Sequence, residues 1–483
     1  PGRAQGRPVR PGERSVARFD LRVPGVHLML SHGAPAGGEG DGGSLTHGLF
    51  GVVVVGAEGS RYYRSQVTAE ALAAARAAAR DGAWLDYEAA DRNGKPLLAM
   101  HRCASGACGP YDPAAGRVWD VVNGDLNAIA WERGAPDGSP RAHRAFAVVF
   151  HDELKTRYDP RFAVLDGPEP PAGERPRGAM LDGARDGFAI NYGASGIGTI
   201  LLANRMGVGP ARDCAECAYE EFFLQSWANG DPALLPRYRD DPSNVAHSYL
   251  GDPAVFHNLH AGPKETHIFH LHAHQWRGGR NGFGAYLDSQ TIAPLQAFTY
   301  EIDHGGSGNR NLTAGDSIFH CHLYPHFAQG MWALWRVHDV LEDGTRRLPD
   351  GELGLGTDPR TGATTPETGA PIPAVVPLPG RAMPLEPDYA AGRVGYPFFL
   401  AGEAGRRAPQ APNDIADDGG LGRHVVRRGT RTLSHLASDR RSAADPGAVA
   451  RAIETADFSS ALEAADIALL PAGGTPLELA AMA

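Results

Sequence analysis

Lysine- or arginine-rich runs are missing from this chain, and with them the electrostatic footprint of a nucleic-acid binder; 46 basic residues against 56 acidic ones leave a net charge of −10. No apolar run approaches the about 20 residues that a membrane-spanning helix needs, so no spanning helix is expected within these residues. No charged and apolar leader precedes the first strands either, though a start that is itself internal would make that silent about export. Cysteine is scarce. Of the five, Cys103 and Cys108 form one close pair, Cys214 and Cys217 another, and Cys321 stands alone. Disulfides, free thiols and metal ligation all stay open for the pairs, but a four-thiolate zinc site lacks its usual second CxxC. Disulfides would suit an exported protein.

Against that sparse background stand two dense histidine clusters, HIFHLHAHQW at 267–276 and HCHLYPHFAQGM at 320–331. Side chains on a strand alternate faces with period two. His320 and His322 therefore share one face and Cys321 takes the other; His270 and His272 share a face, while His267 has the opposite parity. Two metal sites back to back are implied. One is Cys321 with His267 and His326, and with Met331 as a weak axial ligand: two imidazoles, a thiolate and a thioether, the ligand set of a blue-copper centre. The other is a histidine-only group of His270, His272, His320 and His322. The backbone on either side of Cys321 joins the two. Zinc and incidental core histidines are the competing readings, though structural zinc sites of mixed type usually carry more than one cysteine.

The patterns HxxHLHxH and HCHxxxHxxxxM resemble the copper-binding cupredoxin domain of the multicopper oxidase family. The longer stretches GDPAVFHNLHAGPKETHIFHLHAHQW and GGSGNRNLTAGDSIFHCHLYPHFAQGMWALWRVHDV, with FHDELK near 150, are similar to large bacterial members, some relatives of which oxidise manganese. The resemblance implies that His267, Cys321 and His326 bind type 1 copper with Met331 axial. It implies His270 as the type 2 ligand of a trinuclear cluster, and His272, His320 and His322 as ligands of its type 3 pair. The implied activity couples one-electron oxidation of a metal ion or phenol to four-electron reduction of dioxygen to water, with electrons passing from Cys321 to His320 and His322. Axial methionine is expected to favour a lower potential. Glu265, Asp288 and Asp316 flank the ligand segments, either as cation guides or as solvated carboxylates.

One departure from the family is plain. There the trinuclear cluster takes four further histidines from two HxH motifs of a partner domain, and no HxH occurs here outside the two clusters. His27, His32, His47, His151, His257, His260, His304 and His338 read as loop or core residues, and His274 as a support to the ligands. The start at Pro1 without methionine, in what reads as late strands, and the end at Ala483 in an alanine-rich run point to a piece of a longer polypeptide. A further cupredoxin domain, of the same polypeptide or of a partner chain, is then expected to complete the cluster. The alternative is a type 1 copper electron-transfer module; a nitrite-reductase-like enzyme with one type 1 and one type 2 copper is a third reading.

Short apolar runs between glycine- and proline-rich turns predict an all-β fold of tandem cupredoxin-like, Greek-key sandwiches. Residues 1–65 read as the end of one such domain, 85–195 as one without copper ligands, 196–345 as the copper-bearing one, and 346–483 as a Pro/Gly-rich extension with a helical tail. A short helix is expected at AEALAAARAAA, and a turn at NGDLNAI. The family and the paired cysteines together imply an extracytoplasmic location.

Overall fold

A computed structural model describes, in the main, residues 23–30, 48–103, 119–152, 188–191, 245–346 and 372–400, with short gaps inside several of these stretches. Along the first half run β1 (Gly25–Leu30), β2 (Phe50–Val55), β3 (Arg61–Arg64), β4 (Gln66–Val67), helix α1 (Ala69–Ala77), β5 (His101–Cys103), β6 (Trp119–Val121), β7 (Asn127–Glu132), β8 (Arg141–His151) and β9 (Ala189–Ile190). There follow β10 (Ala246–Tyr249), β11 (Ala254–His260), β12 (His267–Leu271), β13 (Trp276–Arg277), β14 (Tyr286–Leu287), β15 (Ser289–Ile292), β16 (Ala297–Glu301), β17 (Gly315–Cys321), helix α2 (Tyr324–Ala328), β18 (Trp332–His338) and β19 (Ala374–Val375).

The fold is mostly β, in several sheets, as the alternating apolar runs led one to expect. A five-stranded sheet has the order β10-β18-β17-β12-β15; a second has β16-β11-β8-β7-β3, with β9 added beside β8. Phe146, Phe150 and Phe256 from the second sheet share one buried cluster with Phe269, Phe319 and Trp335 from the first. The two sheets are thus the halves of a β-sandwich, and each such side chain contributes about 1.5–3 kcal/mol by leaving water. Strands β8 and β11 are parallel neighbours, from Ala254 beside Arg144 to His260 beside Phe150. One sheet therefore crosses the expected boundary at 195/196, with β3 of the 1–65 stretch at its edge. At the β10–β11 corner the buried Arg144 Nε donates to Asp252 Oδ2 at 2.8 Å, and the same oxygen accepts from the Tyr249 amide at 3.0 Å.

Local signals behave as their chemistry dictates. Helix α1 occupies AEALAAARA, where alanine and leucine propensities are high, and begins where Thr68 Oγ1 accepts from the Ala71 amide at 3.2 Å. In NGDLNAI the Asp125 carboxylate accepts from the Asn127 amide at 2.9 Å, a local turn bond of the kind aspartate favours. The apolar stretch GIGTILLA at 196–203, itself readable as a strand, and the tail from 445, together with His32, His47, Cys108, Cys214 and Cys217, lie outside the described residues. Cys103, at the end of β5, is disulfide-bonded.

Candidate metal centres

Strands β12 and β17 are antiparallel neighbours, with Phe269 opposite Cys321, His270 opposite His320 and Leu271 opposite Phe319. This register sorts the histidines. Along β12 His267, Phe269 and Leu271 are buried while Ile268 and His270 are only partly so, the period-two pattern of a strand with one face in the core. Cys321 points inward with Phe269, and His270 and His320 stand together on the opposite face.

On the inner face three donors converge. Cys321 Sγ lies 3.7 Å from His267 Nδ1 and 3.5 Å from His326 Nδ1, and the two nitrogens are 3.0 Å apart. With metal–nitrogen bonds of about 2.0 Å and a metal–sulfur bond of about 2.3 Å, donors at tetrahedral to trigonal angles around an ion stand about 3.3–3.7 Å apart. The two sulfur–nitrogen separations fall in that range and the nitrogen pair is somewhat closer, so the three donors converge as ligands of a single transition-metal ion would, and all three residues are buried. His326 is brought in by α2, five residues beyond the cysteine. Its ring lies flat on Phe188, with centroids 3.8 Å apart. Met331 is fully buried in the same core cluster, and backbone bonds tie it to both neighbours: the Cys321 amide donates to its carbonyl at 3.0 Å and its own amide donates to the His326 carbonyl at 3.1 Å.

Burial sets the protonation states. It pushes His267 down to about 2, with His260 and His326 nearby adding to the effect, and lowers His326 as well. Both imidazoles are thus neutral, the form that ligates metal. Burial also raises the Cys321 thiol, against the opposing amide of Ile268, which approaches the sulfur at 3.5 Å. A metal must therefore displace that proton to bind.

The outer face gathers His270, His272 and His320, whose donor nitrogens lie within 4.8 Å of one another. His320 Nδ1–H donates to the Cys321 carbonyl at 2.9 Å, which leaves its Nε2 lone pair directed at His272 Nε2, 3.0 Å away. His270 Nδ1–H likewise donates to the Asp288 carbonyl at 3.0 Å and meets Ser289 Oγ at 2.9 Å. Rings whose second nitrogen is tied to a backbone acceptor are fixed in the ligating tautomer. His322, exposed just beyond β17, completes the patch with ring centroids 5.0 Å from His270 and 5.8 Å from His320. Burial, reinforced by the other histidines of the patch, lowers His320 to about 4, and His272 is lowered too.

No family model matches the chain, and no curated protein does. Among solved structures it is similar to the copper nitrite reductase from Nitrosomonas europaea, at 12% identity over 49% of this chain and 73% of that one, with a TM-score of 0.22. It is similar to the blue copper oxidase of the same organism, at 17% identity over 19% and 30% of the two chains and a TM-score of 0.16. The McoA multicopper oxidase from Aquifex aeolicus gives 19% identity over 22% and 24%, with a TM-score of 0.17. The chain thus spans less than a third of the length of these two oxidases. Cys321, His267 and His326 form a buried His–Cys–His group consistent with type 1 copper.

The remaining histidines divide. His274 is buried; its Nε2 accepts from the Gly308 amide at 3.1 Å and its Nδ1–H donates to the His272 carbonyl at 3.0 Å, so it braces the segment that carries His272. His27 donates to the Val23 carbonyl, His151 to that of Leu45, and His257 meets Thr299 Oγ1, while His338 pairs with His247 at 2.8 Å. His304 stacks on Tyr286, and none of these joins either donor group. His260 differs, because its ring stacks on His267 with centroids 4.4 Å apart. Neither it nor Phe188 announces itself in the sequence; both arrive through packing. Of the three flanking carboxylates, Asp316 forms a two-pronged ion pair with Arg336 at 2.8 and 3.0 Å, which corrects the reading of it as a solvated or cation-guiding group. Asp288 is about half exposed, 3.8 Å from His270 Nδ1, and Glu265 is partly exposed beside Lys264.

Proposed function

We propose that this chain is the type 1 copper-bearing part of a multicopper oxidase, one that oxidises a small reductant such as a metal ion or a phenol and delivers electrons to dioxygen. The observation that carries the reading is the split at Cys321: its sulfur enters the buried donor group while the adjacent His320 enters the outer imidazole group. Bound copper would supply the one-electron redox chemistry. The chain's own work is to hold the ligands. His267 and His326 stay neutral in a dry pocket, Phe188 closes the far side of His326, and the peptide links from Cys321 to His320 and His322 are the short covalent connection between the two groups. His270, His272, His320 and His322 would hold their share of a trinuclear cluster, with type 2 copper at His270, completed by a further cupredoxin domain of the same polypeptide or of a partner chain. The location proposed is extracytoplasmic, and the disulfide at Cys103 supports it.

A second reading, an electron-transfer module or a two-copper enzyme of the nitrite reductase kind, is supported by one observation: on the outer face the ring nitrogens that lie within 4.8 Å of one another among the described residues are those of three imidazoles, His270, His272 and His320. Copper stoichiometry with the visible spectrum separates these. A thiolate-to-copper band with one ion per chain means the module, two ions per chain the two-copper enzyme, and about four on a longer polypeptide the oxidase. Absence of the band in copper-loaded protein would overturn all three.

A further inference from the structure

Beside the inner donor group lies a second cluster of buried side chains: Asp152, His260 and His267 bring a carboxylate oxygen and two ring nitrogens within 4.8 Å of one another. A second metal ion is not what this cluster is built for, because His260 has both ring nitrogens engaged. Its Nδ1 accepts from the Gly262 amide at 2.9 Å, so its Nε2 carries the proton, which it donates to the Glu265 carbonyl at 2.5 Å. Asp152 Oδ2 meanwhile accepts from the Lys264 amide at 3.1 Å and the Glu265 amide at 2.6 Å. Both side chains therefore grip the backbone of the 261–266 loop, whose next residue is His267. The His260 ring then lies on the face of the His267 ring, and Phe150 meets it edge-on with centroids 5.5 Å apart. Gly262 is part of the same device, since a Cβ there would stand 1.3 Å from Asp152 Oδ1.

We propose that Asp152, with His260, is a positioning residue for the inner metal centre: it anchors the loop that delivers His267 and so sets where that imidazole stands relative to Cys321. The inference rests on the type 1 copper reading. Loss of the anchor frees the loop, lets His267 shift, and changes the copper–thiolate overlap that gives the centre its colour. Outer partners of ligating histidines typically control metal affinity by about 10–100-fold.

The test is copper titration of the full chain by visible and paramagnetic resonance spectroscopy, with reduction potentials, for the unaltered protein and for D152A, D152N and G262A. Near-ultraviolet circular dichroism checks that each variant is folded. Asp152→Ala should weaken copper binding about tenfold or more and shift the charge-transfer band and the potential; Asp152→Asn, which keeps a carbonyl acceptor for the two amides, should recover most of both. Gly262→Ala, which leaves the carboxylate chemistry intact and displaces it, should move the band in the same direction as Asp152→Ala and provides the reading if that variant does not fold. Folded D152A or G262A with the spectrum, potential and affinity of the unaltered protein would overturn the positioning role alone. No thiolate band in the unaltered protein would overturn the copper reading and this inference with it.

Discussion

The two faces of the β12–β17 ladder carry the same kind of side chain and treat it differently. On the inner face His267 and Cys321 are 0% exposed, the His267 ring is met by Phe150 and Phe188, and the donors of His267, Cys321 and His326 meet at 3.0–3.7 Å. On the outer face His272 and His322 are exposed, and only the strand-bound His270 and His320 have tautomers locked by backbone carbonyls. Imidazole by itself therefore says little about what a site does. A dry pocket with one thiolate would hold a single ion and set its potential, whereas an open patch of imidazoles would present donors to something that arrives from outside.

The sharpest way to break that contrast is Cys321→Ser. It should abolish the visible thiolate band entirely while leaving the outer group able to take up metal, as equilibrium dialysis with spectroscopy would register; a band that survives would mean the sulfur is not a ligand. Next in size is Phe269→Ala. This side chain is fully buried between the sheets, stacks on Tyr300 at 5.3 Å and lies opposite Cys321 in the register. Its removal should cost about 3–5 kcal/mol in chemical denaturation, and the inner site should lose metal affinity before the outer one does.

Acid offers a third handle. His151, His257, His260, His274 and His320 are each lowered to about 4, and His267 to about 2, chiefly by burial. Their folded values lie below those of the unfolded chain, so the unfolded state binds more protons as pH falls, and stability must fall with it. The metal-free chain should keep its full stability above about pH 6.5 and lose it progressively towards about pH 4, by up to about 3 kcal/mol for each such histidine. Melting temperatures across that window give the answer, and a flat profile would contradict the burial of neutral rings. In the metal-bound state the raised Cys321 thiol gives the inner site an expected release of about one proton per ion bound, so its affinity should drop about tenfold per unit of acidification. The smallest effect should be that of His322→Ala, which reduces metal uptake at the outer group and leaves the inner band unchanged in position and strength.

Much of this was legible in the residues. The parity of HCH and HxxHxH sorted His320 from Cys321 and His267 from His270 correctly, because a strand alternates faces whatever surrounds it. Most of the apolar runs RAFAVVFHDEL and GMWALWRVHDVL lies in strands β8 and β18, and most of AEALAAARAAA in helix α1. Harder to see was that β8 would lie parallel to β11 across more than a hundred residues, or that Asp316 would spend its charge on Arg336. Both are long-range pairings for which no local pattern exists. His260 illustrates the limit most clearly: its role depends on a loop closing over Asp152, and nothing in its immediate neighbours encodes that.

The sequence by itself determined the donor inventory and which face each donor occupies, since residue chemistry and the two-residue period of a strand are local properties. Tertiary structure alone decided which donors meet, how dry each group is and what braces it. His267, Cys321 and His326 become one group only when β12, β17 and α2 pack against the opposite sheet, and Phe188, Asp152 and His260 reach them from strands and loops elsewhere in the chain. Distance, burial and second contacts belong to the assembled sandwich, because each depends on residues that are neighbours in space and strangers along the chain.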